Sequence, residues 1–238
     1  QNDPDAFYFL GCQYYKGNGI EQDYSKAIEC LEKAAKQNHH EALTSLGILY
    51  SNGRIVKRDY IKARNYLESA TKFNNPQAFL LLGVFYEYGY GVVRDYKRAK
   101  YYYKLSAQQG NTNAFINLGN LYFNNNNGNN KKYLKAKEIF VLAAKQKNSV
   151  ALLNLGVMYE NGFGVQKDYL KMKQYYESSA LLGNTIALYN LGYLYEHGTV
   201  VPQNFIQAIK LYKSSAEKNN IDALHALGSI YYNGEYID

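Results

Sequence analysis

Ala151-Leu152-Leu153-Asn154-Leu155-Gly156-Val157-Met158-Tyr159-Glu160-Asn161-Gly162-Phe163-Gly164-Val165-Gln166-Lys167-Asp168-Tyr169-Leu170, running on through Tyr175-Tyr176 to Ser179-Ala180, is one copy of a pattern that recurs along the whole chain. Its Gly156 returns as Gly11, Gly47, Gly83, Gly119, Gly192 and Gly228, so successive copies lie 36, 36, 36, 37, 36 and 36 residues apart. A fixed period of this length marks a solenoid, in which each repeat packs mainly on its neighbours. Function then spreads over a surface shared by many repeats, and a compact catalytic centre is not expected.

In every copy the residues five and one before the glycine and three after it fall on one helical face. They are Ala151, Leu155 and Tyr159 in the quoted stretch and Ala78, Leu82 and Tyr86 two copies earlier. This predicts a helix, A. A glycine inside a helix costs about 1 kcal/mol against alanine, so its regular return asks for a second helix pressed close upon it. Turns such as Gly17-Asn18-Gly19, Gly89-Tyr90-Gly91 and Gly162-Phe163-Gly164 end helix A, since glycine accepts the left-handed conformation that stops a helix. Asp23, Asp59, Asp95, Asp168 and Asn204 then read as N-caps of helix B. Helix B carries small Ala27, Ala63, Ala99, Ala136 and Ala208, with Met172 in the fifth copy, and four residues later bulky Leu31, Leu67, Tyr103, Phe140, Tyr176 and Tyr212. The small residues receive the glycine and the bulky ones fill the space beside it.

The expected fold class is therefore all-α, a right-handed α-solenoid superhelix of antiparallel helix hairpins forming one domain over residues 1–238. Six full repeats, about 4–39, 40–75, 76–111, 112–148, 149–184 and 185–220, are followed by the first helix of a seventh, 221–238. The fourth copy departs from the rule: its turn, Asn124-Asn125-Asn126-Asn127-Gly128-Asn129-Asn130-Lys131-Lys132, is one residue longer and puts Lys132 where others have the capping acid. A mobile tip is expected there.

The pattern Ala-x4-Gly-x2-Tyr-x2-Gly-x-Gly-Val-x2-Asp-Tyr-x2-Ala, met almost letter for letter from Ala78 to Ala99, resembles the Sel1-like repeat, a relative of the tetratricopeptide repeat with a longer loop inside the hairpin. The resemblance runs from Ala6 to Gly234. It implies a scaffold or adaptor, as in recruiting substrates to a ubiquitin ligase of the endoplasmic reticulum, activating fungal chitin synthase, or serving bacterial secretion and host interaction. Some secreted members carry a disulfide in each repeat; here only Cys12 and Cys30 exist, and both a bridge between them and two free thiols stay open.

Opposite its core face, helix A presents a second face that lines the concave groove of the resembled superhelix. Leu81, Val84, Tyr88, Phe123, Leu153, Val157, Tyr189 and Tyr193 lie there, together with Tyr8, Phe9 and Tyr232. Part of this apolar surface must seal one helix A against the next, and the rest suits an extended or helical segment of another protein. Asn117, Asn154 and Asn190 hold one position, two before the glycine, in three consecutive copies. An amide donates and accepts at once, so such a row suits a peptide main chain, and it resembles the asparagine ladders of tetratricopeptide grooves. Glu87, Glu160 and Glu196, four after the glycine, read either as solvated acids or as a preference for partners bearing Lys or Arg.

A formal charge of +7 raises nucleic acid as a rival partner. Position argues against it in the groove: Lys16 alone lies on helix A, while Arg94, Lys97, Arg98, Lys100 and most other cations sit on helix B or its approach. The alternative function is a structural spacer that docks on acidic membrane or polyanion through its basic convex face. The Gly-x-Gly triplets lack the Lys-Ser/Thr of a phosphate loop. His39 and His40 lie in a turn, and His197 and His225 bring no second pair of ligands. No nucleophile, base and orienting group recur together, so no enzyme, cofactor or metal site is expected. No apolar run approaches the roughly 20 residues of a membrane span. The start at Gln1 and the stop within a seventh repeat read as ends cut from a longer protein, and the two cysteines with no Asn-x-Ser/Thr site point to a reducing interior such as the cytoplasm.

Overall fold

The computed structural model describes residues 3–125 and 129–233; the expected mobile tip at Asn126–Gly128 and the turn at Gly234 lie outside them. Among the described residues the secondary structure is helical throughout, without a strand. The helices come in pairs: α1 (Pro4–Lys16) with α2 (Tyr24–Lys36), α3 (His40–Asn52) with α4 (Tyr60–Thr71), α5 (Pro76–Tyr88) with α6 (Tyr96–Gln108), α7 (Thr112–Asn124) with α8 (Asn130–Lys145), α9 (Ser149–Asn161) with α10 (Tyr169–Leu181), and α11 (Thr185–His197) with α12 (Phe205–Ala216). A last helix A, α13 (Ile221–Asn233), follows. Two compact units divide the chain, Gln1–Ala114 and Phe115–Asp238, the division falling inside α7.

Local chemistry fixes each hairpin. The side chains of Asp23, Asp59, Asp95, Asp168 and Asn204 accept from amides in the first turn of helix B, as the sequence predicts. Their own amides donate to the carbonyls of Tyr14, Tyr50, Tyr86, Tyr159 and Tyr195 at 2.8–3.0 Å, which ties the loop back onto helix A. Between repeats the chain turns at one residue of positive φ, either glycine (Gly110, Gly183) or Asn38, Asn74, Lys147 and Asn219. The following residue then caps the next helix A: Asn75, Asn148, Asn184 and Asn220 accept from the amide three residues on, and His39 does so through Nδ1.

The helix A glycine is explained by what lies over it. A Cβ at Gly83, Gly119 or Gly156 would stand 2.4 Å from a ring atom of Tyr103, Phe140 or Tyr176. The second glycine of the loop has another cause: a Cβ at Gly91 or Gly164 would stand 2.8 or 2.7 Å from the Cβ of Tyr60 or Tyr133, the helix B of the preceding repeat.

In the first unit the core gathers Leu31, Leu46, Leu67, Leu82 and Phe85, all buried. In the second, successive clusters form around Phe140 with Met158, around Met172 with Tyr176 and Leu191, and around Tyr212 with Ile230. The fourth repeat corrects the reading of its cap. Asn129 caps α8 by accepting from the Lys131 amide at 2.9 Å, and Lys132 lies within the first turn, its ammonium donating to the Asn125 carbonyl. With no acid at 132, the nearest preceding asparagine starts the helix, which grows to 16 residues where α6 and α10 have 13. Cys12 and Cys30 are free thiols.

Candidate functional site

The asparagine row belongs to the second unit, on α7, α9 and α11, and all three side chains are half-buried. Two of them are hooked sideways. Asn154 Nδ2 donates to Asn120 Oδ1 at 3.2 Å, joining α9 to α7. The Asn190 amide approaches the Tyr176 hydroxyl as a donor, joining α11 to α10. The Asn154 and Asn190 amides thus each have one hydrogen-bonding arm engaged by the adjacent repeat, which leaves the rest of their donor and acceptor capacity.

The glutamates have a partner that reading each position separately does not show. The Tyr103 hydroxyl donates to Glu87 Oε2 at 2.5 Å, Tyr176 to Glu160 Oε2 at 2.8 Å, and Tyr212 to Glu196 Oε2 at 2.5 Å. Each tyrosine is the fully buried residue lying over the glycine of its own hairpin. Three residues further along helix B, the hydroxyls of Ser106, Ser179 and Ser215 donate to the carbonyls of Pro76, Ser149 and Thr185 at 2.6–2.7 Å, at the start of helix A. The other three hairpins carry Leu31 with Ala34, Leu67 with Ala70, and Phe140 with Ala143, and opposite them Tyr15, Ser51 and Phe123 in place of the acid. Two kinds of lock therefore close the hairpins: a polar one, Tyr-x2-Ser against Glu, and an apolar one, Leu/Phe-x2-Ala against a residue that is not acidic. The covariation is present in the sequence and becomes visible once the two helices are set side by side.

Burial raises the Glu87 carboxyl above its ordinary range, and the Tyr103 hydroxyl draws it partly back. Burial, reinforced by the charge of Glu160 and by the hydrogen bond to Glu196 respectively, pushes Tyr176 and Tyr212 far above the ordinary tyrosine value. A carboxylate held by a phenol keeps lone pairs free, so Glu87, Glu160 and Glu196 remain acceptors of fixed orientation.

The apolar residues of the face divide. Leu153 is buried, and Leu81, Val84, Val157 and Tyr189 are half-buried. Phe123 is engaged within its own unit, edge-on to Tyr133 at 5.2 Å and to Phe163 at 5.3 Å. Tyr88 and Tyr193 stay open, 53% and 45% exposed. Tyr88 stacks on Tyr90, and Tyr193 on His197 with 4.0 Å between ring centroids. Much of the cationic charge is also placed. Lys26, Lys62, Arg98 and Lys171, each three residues beyond its helix cap, and Lys135 of α8 lie 4.1–5.9 Å from the ring centroids of Tyr14, Tyr50, Tyr86, Tyr159 and Tyr122 respectively.

A family model described as Sel1 repeat matches residues 4–39, 40–72, 76–111, 149–184, 185–220 and 221–238. The chain belongs to the Sel1-repeat family. The unmatched stretch contains the fourth repeat, where the cap has moved. Among solved structures, a Sel1 repeat protein from Oxalobacter formigenes superposes with a TM-score of 0.81 at 25% identity, over 90% of this chain and 85% of that one. The c5321 protective antigen of uropathogenic Escherichia coli, displaying an SLR fold, gives 0.77 at 30% identity over 96% of this chain. This Sel1-repeat chain spans about half of that protein, 49%. The immunity protein Pa5087 of Pseudomonas aeruginosa shares the fold, with a TM-score of 0.58 at 23% identity over 92% of this chain and 82% of that one. No curated protein matches significantly. Sel1-repeat proteins are in general scaffolds for protein–protein interaction, and the repeat fold is typically non-enzymatic. No helix among the described residues is long and apolar enough to cross a membrane.

Proposed function

We propose that this Sel1-repeat chain is a non-enzymatic adaptor that holds a peptide segment or helix of another protein along the inner face of its A helices. In the second unit the contacts are Asn117, Asn154 and Asn190 with Leu153, Val157, Tyr189, Tyr193, Glu160 and Glu196, flanked by Phe123. In the first unit Leu81, Val84, Glu87 and Tyr88 offer the same chemistry. The observation that carries the reading is the anchored row: the Asn154 amide held by the neighbouring repeat, and the Glu160 and Glu196 carboxylates held by a tyrosine of their own hairpin, beside the half-exposed ring of Tyr193. Groups fixed before binding lose little entropy on binding, which favours affinity for a flexible segment. A partner bearing Lys or Arg is favoured by the glutamates.

The rival reading, a spacer docking on acidic surfaces, draws less support. Five of its cations already sit over tyrosine rings, and Lys26, Arg98 and Lys171 also face Asp23, Asp95 and Asp168. The test is selection of a displayed random peptide library on the intact chain, followed by titration of the enriched peptides against Asn154→Ala/Asn190→Ala and Tyr193→Ala. Binding weakened about tenfold or more with helicity unchanged is expected from lost hydrogen bonds and ring contact. Enriched peptides that bind these variants as well as the parent would move the site off this face.

A further inference from the structure

At the boundary between the first and second repeats, side chains from three helices hold one cation. The Lys62 ammonium of α4 lies 4.1 Å from the ring centroid of Tyr50 on α3, donates to the Tyr50 hydroxyl and reaches Glu32 Oε1 of α2 at 3.3 Å. Tyr66, one turn further along α4, stacks on Tyr50 with 5.9 Å between ring centroids. The next boundary repeats the set: Arg98 donates to the Tyr86 hydroxyl at 3.1 Å, Tyr102 stacks on Tyr86 at 5.6 Å, and Glu68 takes the place of Glu32. Glu68 is paired with Arg64 of its own helix at 3.5 Å, and Arg98 is seated on Tyr86 nonetheless. Between the fifth and sixth repeats the acid and the first ring return as Glu177 of α10 and Tyr195 of α11, and Glu177 is again paired within its helix, with Lys173 at 2.6 Å. The positions of Lys62 and Tyr66, however, hold Gln207 and Leu211 on α12. An open pocket of about 400 Å³ lies there, lined by Glu177, Leu188, Leu191, Tyr195, Gln207 and Leu211. Leu181, 87% exposed, also lines it, at the position of Lys36 and Lys72 in the first two boundaries. Relative to the first boundary, two lysines have left this place, while the acid and the ring that attract a cation have stayed. Both hairpins that line the pocket are complete and lie within the array, with α8 before them and α13 after.

We propose that this pocket seats an arginine side chain of a partner protein, its guanidinium over Tyr195 and beside Glu177. The two replacements specify the occupant. Gln207 leaves the place of a cation and Leu211 the place of a flat stacked group, and a guanidinium is both, able to lie on a ring face while it donates to a carboxylate. A lysine ammonium supplies only the charge. Glu177 is bonded to Lys173 through Oε1, and Oε2 is a second acceptor for the incoming donor. The aliphatic stem of the arginine packs on Leu188, Leu191 and Leu211, and the exposed Leu181 favours an apolar residue next to it. None of these residues belongs to the asparagine row.

The probe is the blocked tripeptide acetyl-Leu-Arg-Leu-amide, titrated into the 238-residue chain carrying labelled leucine methyls and followed by NMR. Saturable shifts at Leu181, Leu188 and Leu211 are expected. Citrulline in place of arginine, close in shape but uncharged, weakens binding about tenfold or more, and Glu177→Gln, at a half-exposed side chain that the fold does not need, weakens it likewise. Gln207→Arg/Leu211→Tyr rebuilds the set of the second boundary from within, so it abolishes binding while the melting temperature stays at or above that of the parent. Asn154→Ala/Asn190→Ala leaves the tripeptide bound as before, whatever it does to the peptides of the inner face. The proposal fails if no saturable shift appears, if the citrulline peptide binds as tightly, if acetyl-Leu-Lys-Leu-amide binds more tightly, or if Glu177→Gln binds like the parent. Self-association in sedimentation that Gln207→Arg/Leu211→Tyr abolishes would overturn it too, by giving the pocket to a second copy of the chain.

Discussion

Replacing Gly156 by alanine pits two effects of known sign against each other at one atom. The gain is intrinsic: alanine in a helix interior is favoured over glycine by about 1 kcal/mol. The loss is steric. The new methyl carbon would stand 2.4 and 2.5 Å from Cε1 and Cδ1 of Tyr176, and 3.4 Å from the Met172 carbonyl oxygen. Tyr176 is fully buried and its hydroxyl is held by Glu160, so the ring has nowhere to swing without breaking that bond. Overpacking of this kind costs about 1–3 kcal/mol, and losing a hydrogen bond to a charged group about 1.5–3 kcal/mol more. The net expectation for Gly156→Ala is a destabilisation of about 1.5–5 kcal/mol. Gly11→Ala meets Leu31 Cγ at 3.0 Å and the Ala27 carbonyl oxygen at 3.1 Å, looser contacts than those at Gly156, and should be destabilised less; Gly228→Ala meets nothing and should stabilise α13. The propensity gain is common to all three variants and drops out of their differences. Urea unfolding followed by far-UV circular dichroism, with hydrogen exchange to resolve α13, reads the order directly. Equal midpoint shifts for Gly156→Ala and Gly11→Ala, or a stabilised Gly156→Ala, would refute the account of why this glycine recurs.

Two further predictions follow from the same geometry. Tyr176 and Tyr212 titrate above their unfolded value of 10.0, so their contribution is fully present below that pH and is lost as pH rises beyond it; the melting temperature should fall steeply above pH 10, and more gently in the Tyr176→Phe/Tyr212→Phe variant. Lys147 holds φ at +58° where the equivalent Gly110 and Gly183 stand in other repeats, so Lys147→Gly should stabilise the chain by about 1 kcal/mol in chemical denaturation.

The hairpins, their caps and the crowding at the glycine were legible because each leaves a residue type at a fixed place in every copy. The shared position of Asn117, Asn154 and Asn190, two before the glycine, is legible for the same reason, but the sideways bonds of Asn154 and Asn190 are not, since Asn120 and Tyr176 belong to neighbouring repeats. Glu87, Glu160 and Glu196 were read as groove acids because a column of acids looks solvated when taken alone. Their tyrosines lie 16 residues away on the facing helix, and only pairing the columns shows that acid and phenol occur together. The α8 start is not legible at a fixed distance from the glycine. When that position held lysine, Asn129 served instead. Aromatic contacts such as Phe163 on Tyr133 return as Tyr90 on Tyr60 but leave only a faint periodic trace, because the same loop position holds Asn18, Arg54 or Thr199 in other copies.

The two locks also bear on how such an array can be rebuilt by gene rearrangement. Gly83 and Glu87 on one helix are matched to Tyr103 and Ser106 on the next, and Gly47 and Ser51 to Leu67 and Ala70. A crossover at the left-handed turn between repeats passes each matched set on intact. One within the hairpin loop would splice an acid to leucine, or a phenol to serine. Inheritance of these arrays should therefore proceed by whole hairpins, with viable chimaeras joined at Asn74, Gly110, Lys147 or Gly183 and poorly folding ones joined near Gly89 or Gly162.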